Sequence, residues 1–155
     1  MLHKYLHSWD VISTDLRMRN QRKIYRNDLE QLEALNQEYC WSLDLDRIVS
    51  KDYDALVLTN FNQVIEWVNG GFERMTGYSA EESVGRRPGF LQGPKTSELA
   101  KGRLRTGIHE ERDAYATLIN YRKCGNPYKC KISILPLKNA ALHTTHFLAI
   151  EKEVT

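Results

Sequence analysis

Apolar residues in the first part of the chain recur every seven positions, at Val11, Met18, Tyr25, Leu32 and Tyr39. Residues 10–45 contain neither Gly nor Pro, so this period predicts a helix with one apolar stripe. Four residues on from each stand Asp15, Arg22, Leu29, Asn36 and Leu43, of which only two are apolar. A continuous coiled coil is therefore not predicted, although Tyr25, Leu29 and Leu32 suffice for a short seam. The stripe packs against the chain's own domain or against a second copy, and the pattern leaves both open.

Beyond residue 51 the period changes. Ala55-Leu56-Val57-Leu58-Thr59 and Val64-Ile65-Glu66-Trp67-Val68 read as strands joined by Asn60-Phe61-Asn62-Gln63, a link with turn chemistry. Asn69 suits the cap of a short helix. Ser79 with Glu82 forms a capping box before a second short helix, with Gly85 as its stop. Thr96 to Thr106 reads as a longer helix closed by Gly107. Three strands follow, over 114–122, 128–135 and 145–154. Cys124-Gly125-Asn126-Pro127 turns the first hairpin and Asn139-Ala140-Ala141-Leu142 the second. Two strands, a helical middle and three antiparallel strands define an α+β fold, preceded by an N-terminal helical extension.

A length of 155 residues suits one domain with an extension. The hydrophobic fraction of 41% and charged fraction of 27% are those of a soluble globular chain. No apolar run reaches the roughly 20 residues of a membrane span, and the N-terminus lacks a signal-peptide core. Neither a membrane nor an export route is expected. Cys40, Cys124 and Cys130 form no even framework and no Cys-x-x-Cys pair, which suits a reducing cytoplasm. The net charge of +2 gives nucleic acid no general attraction. Arg17, Arg19, Arg22, Lys23 and Arg26 cluster, but Glu30, Glu33 and Glu38 follow closely, as on a solvated helix face. No Gly-x-Ser-x-Gly, phosphate loop, His-Glu-x-x-His or Cys-x-x-Cys is present. The expectation is a protein that is not an enzyme and needs no metal.

One stretch carries more. Trp67-Val68-Asn69, Phe72, Met75-Thr76-Gly77-Tyr78, Val84-Gly85-Arg86 and Phe90-Leu91-Gln92-Gly93 follow in this order and spacing, and Asn120-Tyr121-Arg122-Lys123-Cys124-Gly125 comes later. Together they resemble the PAS domain, a sensory module, and its branch shared with the LOV photoreceptors. The resemblance covers about residues 52 to 154. It implies a PAS fold, with a five-stranded antiparallel sheet and flanking helices over residues 52–155, and leaves residues 1–51 as a docking or dimerisation extension.

The resemblance also orients the sheet. It turns Asn120, Cys130 and Glu151 toward a pocket between sheet and helices. Strand alternation then adds Ala116, Leu118, Ile132, Ile134, Phe147, Ala149, Val57 and Thr59 to that face. Leu56, Leu58, Tyr115, Ile119, Tyr121, Leu148 and Ile150 fall on the opposite face, which needs a cover. The N-terminal helix, the chain's own or a partner's, is the candidate.

LOV photoreceptors hold a flavin and bond it to a cysteine; here Pro88 stands at the cysteine position, so no adduct is expected. Thr59, Gln92, Arg105 and Asn120 match flavin-contacting positions. Arg87, Gly89, Cys130 and Glu151 depart from them, so the expected state is one without cofactor. PAS proteins that bind haem carry a His on the long helix, and the 96–106 segment has none. Glu151 on an inward face requires a partner, with Arg87 and Asn120 as candidates. The candidate pocket residues are thus Thr59, Arg87, Gln92, Arg105, Asn120, Cys130 and Glu151.

The expected function is that of a cytoplasmic sensory and interaction module of a signal-transduction system, tuned by a small ligand. It would form a homodimer or dock on a separate signalling protein through the outer sheet face and the N-terminal helix. Alternatives are a flavin-binding sensor without adduct, and a ligand-free dimerisation domain whose pocket Phe90, Phe147, Ile132 and Ile134 fill. The pattern suits equally a complete small protein and a sensor segment within a longer one.

Overall fold

A computed structural model describes residues 3–49 and 51–155, with side chains from Ser13 to Ile48 and from Lys51 onward. The N-terminal helix α1 runs His3–Tyr39, about 55 Å at 1.5 Å per residue. It stops at Cys40, which takes a left-handed backbone (φ 52°). Trp41 then bridges to Asn139, and a short helix α2 covers Leu45–Val49. The helix-rich stretch expected over 10–45 therefore ends at Tyr39, and the second helix begins only at its edge.

Strands β1 (Ala55–Asn60), β2 (Ile65–Val68), β3 (Ala114–Tyr121), β4 (Pro127–Lys138) and β5 (Thr144–Val154) build one antiparallel sheet. Its order is β2-β1-β5-β4-β3. Helices α3 (Gly70–Thr76), α4 (Ala80–Ser83) and α5 (Glu98–His109), with a 3-10 turn at Pro88–Leu91, lie between β2 and β3 in the chain. The local signals act as read. Asn69 caps α3 by accepting from the Phe72 amide, and Ser79 with Glu82 closes a reciprocal capping box on α4.

Gly107 does not end α5. The helix starts at Ser97, whose side chain caps it, and continues through Gly107 to His109. The reason is tertiary: a Cβ at Gly107 would come within 2.3 Å of the Ala114 Cβ. The glycine is there for the close approach of α5 to β3, not for a stop.

Two cores sit on opposite faces of the sheet. The inner one joins Val57, Phe72, Met75, Leu104, Leu118 and Phe147. The outer one joins Leu32, Trp41 and Ile48 from the N-terminal region to Leu56, Leu58, Leu135, Leu148 and Ile150. Each large apolar side chain buried there contributes about 1.5–3 kcal/mol. The chain's own α1 thus covers the outer face.

That cover is partial at both ends. Residues 13–23 of α1 are exposed, Met18 included, while Tyr25, Leu32 and Tyr39 pack down; the side chain of Val11 lies outside the described residues. On β3, Tyr115 stays exposed and Ile119 half-buried. Tyr121, expected on the outer face, instead lies across Gly93, and its hydroxyl accepts from the Lys95 amide. β3 is an edge strand, so its last side chain can fold around the edge onto the helical layer.

Candidate functional site: a cavity on the inner face and a helix clamp on the outer face

A cavity of about 350 Å³ opens between the inner sheet face and the segment from the 3-10 turn to α5. Strand alternation brings Val57 and Thr59 of β1, Leu118 and Asn120 of β3, Ile132 and Ile134 of β4, and Phe147, Ala149 and Glu151 of β5 to its wall. The opposite wall is Arg87, Pro88, Gly89, Leu91 and Gln92, with Lys101, Leu104, Arg105 and Ile108 of α5. This wall is fastened to the edge of β3. Thr96 Oγ1 donates to the Ile119 carbonyl at 2.6 Å and accepts from the Gly93 amide at 2.9 Å.

Burial sorts the lining into depth and mouth. Thr59, Asn120 and Glu151 are buried, whereas Arg87, Gln92 and Arg105 are exposed. Six of the seven residues expected at the pocket therefore line one cavity. Cys130 is buried but does not line it; its Sγ points to Glu151 Oε2 at 3.8 Å. Burial, and then the Glu151 carboxylate, push its thiol pKa up, which leaves it protonated and a poor nucleophile. Lys101 joins the mouth and carries no sequence signal beyond its place one turn before Arg105.

Phe147, Ile132 and Ile134 wall the cavity without filling it, and Phe90 turns away to meet Tyr78 edge-on at 5.0 Å. His109 is exposed at the end of α5 and outside the lining. Among the described residues, no group of three or more His, Cys, Asp or Glu side chains is arranged to hold a metal. No helix there is long and apolar enough to cross a membrane.

Glu151 is the chemical centre of the cavity. It is 4% exposed, and the Cys130 thiol makes the one hydrogen bond to its carboxylate among the described residues. Neither Arg87 nor Asn120, its expected partners, bonds to it. Burial without a cation pushes its carboxyl up to about 7. At the mouth, Lys101 and Arg105 share Glu98, whereas Arg87 makes no ion pair among the described residues.

On the outer face a second buried acid does the opposite. Asp28 of α1 is 2% exposed, and its Oδ2 accepts from the Tyr53 hydroxyl at 3.1 Å and from Asn69 Nδ2 at 2.9 Å. Asn69 Oδ1 meanwhile accepts from the Leu56 and Phe72 amides. One amide thus links α1, β1 and the start of α3. Farther along, Trp67 Nε1 donates to Gln31 at 2.8 Å. His146 packs against both Tyr39 and Trp41, whose rings stack on each other at 4.9 Å, and bonds Glu66 at 2.9 Å. Asp28 was legible only as an acid interrupting the apolar stripe, three residues after Tyr25 and four before Leu32.

A five-stranded antiparallel sheet thus carries a cavity on one face and a docked helix on the other. The family model for the PAS domain matches residues 54–155. This chain belongs to the PAS family. It is similar to a blue-light photoreceptor of Listeria innocua, 38% identical over 94 residues, covering 61% of this chain and 37% of the relative. It is also similar to a bacterioopsin transcriptional activator of Halobacterium salinarum, 34% identical, covering 63% of this chain and 14% of the relative. These alignments thus span well under half of the relatives' own length. Among solved structures, the LOV domain of the Erythrobacter litoralis EL346 blue-light activated histidine kinase superposes with a TM-score of 0.62 at 31% identity. That match covers 67% of this chain and 98% of that one. The LOV-like character read from the sequence is therefore shared by relatives and by fold.

Proposed function

We propose that the chain is a cytoplasmic sensory and interaction module in which residues 52–155 sense a small ligand and residues 1–51 transmit its presence. It acts through contact, by dimerisation or by docking on a separate signalling protein, rather than by catalysis. One observation carries the reading: the same strands face both ways. Val57, Ile132, Ala149 and Glu151 line the cavity, while Leu56, Leu135, Leu148 and Ile150 bed the N-terminal region. A strand shift on filling the cavity is felt beneath α1. A ligand moves α1 only if it binds the two helix arrangements unequally. The half-covered outer side of β3 and the exposed turns of α1 are the surfaces left for a partner.

A second reading, a flavin sensor, is favoured by the photoreceptor relatives and by the meeting of Thr59, Gln92, Arg105 and Asn120 at one cavity. These residues fit such a group: Asn120 and Gln92 offer amides to a ring edge, and Arg87 and Arg105 offer cations to a phosphate. Bound flavin would supply blue-light absorption. Pro88 is among the lining residues, which supports the reading of a flavin site without an adduct. The open cavity weighs against the ligand-free dimerisation domain.

Two measurements test the proposal. An absorption spectrum of the freshly purified protein separates the readings, a band near about 450 nm marking flavin. Hydrogen exchange over 24–39 is then compared with and without the co-purified small molecule that native mass spectrometry identifies. Faster or slower exchange in α1 on loading is expected. Exchange that does not change, with the cavity loaded, overturns the transmission role.

A further inference from the structure

The cavity is chemically polarised, and that polarity points to a ligand. We infer that it takes a planar nitrogen heterocycle whose inner edge donates hydrogen bonds to Glu151 and whose outer end is anionic and meets Arg87, Lys101 and Arg105. This rests on the reading of the cavity as a ligand site.

The inner end argues as follows. Glu151 is 4% exposed and lines the cavity. The one protein hydrogen bond to its carboxylate among the described residues is the long contact from a thiol at 3.8 Å. An ionised carboxylate has lone pairs only, so it wants donors. Neither strand beside it supplies a cation on this face: β1 sets Ala55 opposite it and β4 sets Ile132, with Cys130 next along, while β3, one strand farther, presents Asn120, and all are neutral. A buried carboxylate kept in this state is stabilised by a donor that arrives from the cavity. With its carboxyl pushed up to about 7, it is mostly ionised at pH 8.

The mouth has the opposite sign. Lys101 and Arg105 share the single carboxylate of Glu98, and Arg87 makes no ion pair among the described residues. Three cations against one acid leave net positive charge where the cavity opens. Between the ends the walls are aliphatic, with Val57, Leu118, Ile132 and Ile134 on the sheet side and Leu104 opposite. A flat, largely apolar body suits them. At about 350 Å³ the space is at the small end of small-molecule sites, which run roughly 300–1,000 Å³.

An amidine-type edge, an N–H beside an exocyclic NH2 as in guanine and pterins, offers a carboxylate two parallel donors. The C4 carbonyl and N5 side of oxidised flavin offers lone pairs only, and its N3–H is a single donor between two carbonyls, so it serves an ionised Glu151 less well.

The test is calorimetric titration of the full chain at pH 8 with four probes. They are guanosine 5′-monophosphate, inosine 5′-monophosphate (which lacks one edge donor), guanosine (which lacks the anion) and flavin mononucleotide. Guanosine monophosphate should bind at least about ten-fold tighter than the inosine analogue, as expected for a hydrogen bond to a charged group. Guanosine should be weaker than its phosphate. Glu151→Gln should lose about ten-fold for guanosine monophosphate and abolish its advantage over the inosine analogue.

Equal affinity for the two nucleotides overturns the inference, and so does unchanged binding by a folded E151Q. Should that variant fail to fold, the nucleotide ratio on the wild type decides. Tight flavin binding insensitive to E151Q removes this inference and leaves the cavity as a ligand site. No binding of any probe removes the inference, and together with a wild-type protein that co-purifies with nothing it removes the ligand-site reading as well.

Discussion

Among the described residues two carboxylates are buried, one on each face of the sheet, and they are used in opposite ways. Asp28 lies beneath α1 with two strong donors, the Tyr53 hydroxyl and the Asn69 amide. Glu151 lies above the cavity with a thiol at 3.8 Å and no cation. Burial penalises both charges by several kcal/mol before compensation. Only Asp28 has that compensation from the protein itself. A satisfied buried acid is structural: it fastens a helix to a sheet. An unsatisfied one next to open space is a site awaiting a partner.

The largest expected effect breaks the satisfied end. Asp28→Ala leaves the Tyr53 hydroxyl and Asn69 Nδ2 buried without an acceptor, at roughly 1–3 kcal/mol each. A loss of about 4 kcal/mol in urea unfolding is expected, with faster hydrogen exchange along 24–39. A loss under about 1 kcal/mol would mean that Asp28 does not clamp the helix.

Next comes the unsatisfied end, read through pH. The folded Glu151 carboxyl titrates near about 7 against 4.5 as its ordinary value. Between these values the folded state binds the extra proton, so stability falls as pH rises through the window and is level above it. Two to three pH units at 1.36 kcal/mol each correspond to a fall of about 3 kcal/mol. All other groups are present in both proteins, so the wild type minus E151Q isolates Glu151. E151Q should therefore be the more stable at pH 8 by up to about 3 kcal/mol, with the gap closing toward pH 4.5. A gap independent of pH would show that Glu151 is solvated or paired.

The two halves of α1 set a large effect against the smallest one. Leu32 is fully buried and Met18 is 59% exposed, though both lie on the same heptad stripe. Leu32→Ala should cost about 2–5 kcal/mol, and Met18→Ala less than about 0.5 kcal/mol in a dilute monomer. A cost at Met18 that grows with protein concentration would reveal that the exposed half pairs with a second copy.

Much of the fold was legible because its signals are local. The Asn69 cap, the Ser79–Glu82 box and the alternation of β4 and β5 involve residues within a few positions of one another. The resemblance placed Asn120 and Glu151 on the cavity face, and alternation then added Leu118 and Ala149 beside them. Gly107 shows where local reading fails: glycine ends helices in general, but here Ala114, distant across a turn, requires the missing Cβ. Tyr121 was misplaced for a similar reason, since alternation assumes neighbours on both sides and an edge strand has one. Cys130 faces inward as expected, yet its neighbours close over it.

By itself the sequence determined the order and type of the elements after residue 51, the faces of the strands and the family to which they belong, because hydrophobic period and capping chemistry act over one or two turns. Whether the N-terminal stripe meets its own sheet, whether side chains fill or merely wall the cavity, and which buried acid finds donors were decided only by tertiary structure. Those outcomes depend on atoms brought together from 25 to 41 residues apart in the Asp28 clamp and on space left between layers. A one-dimensional pattern carries neither.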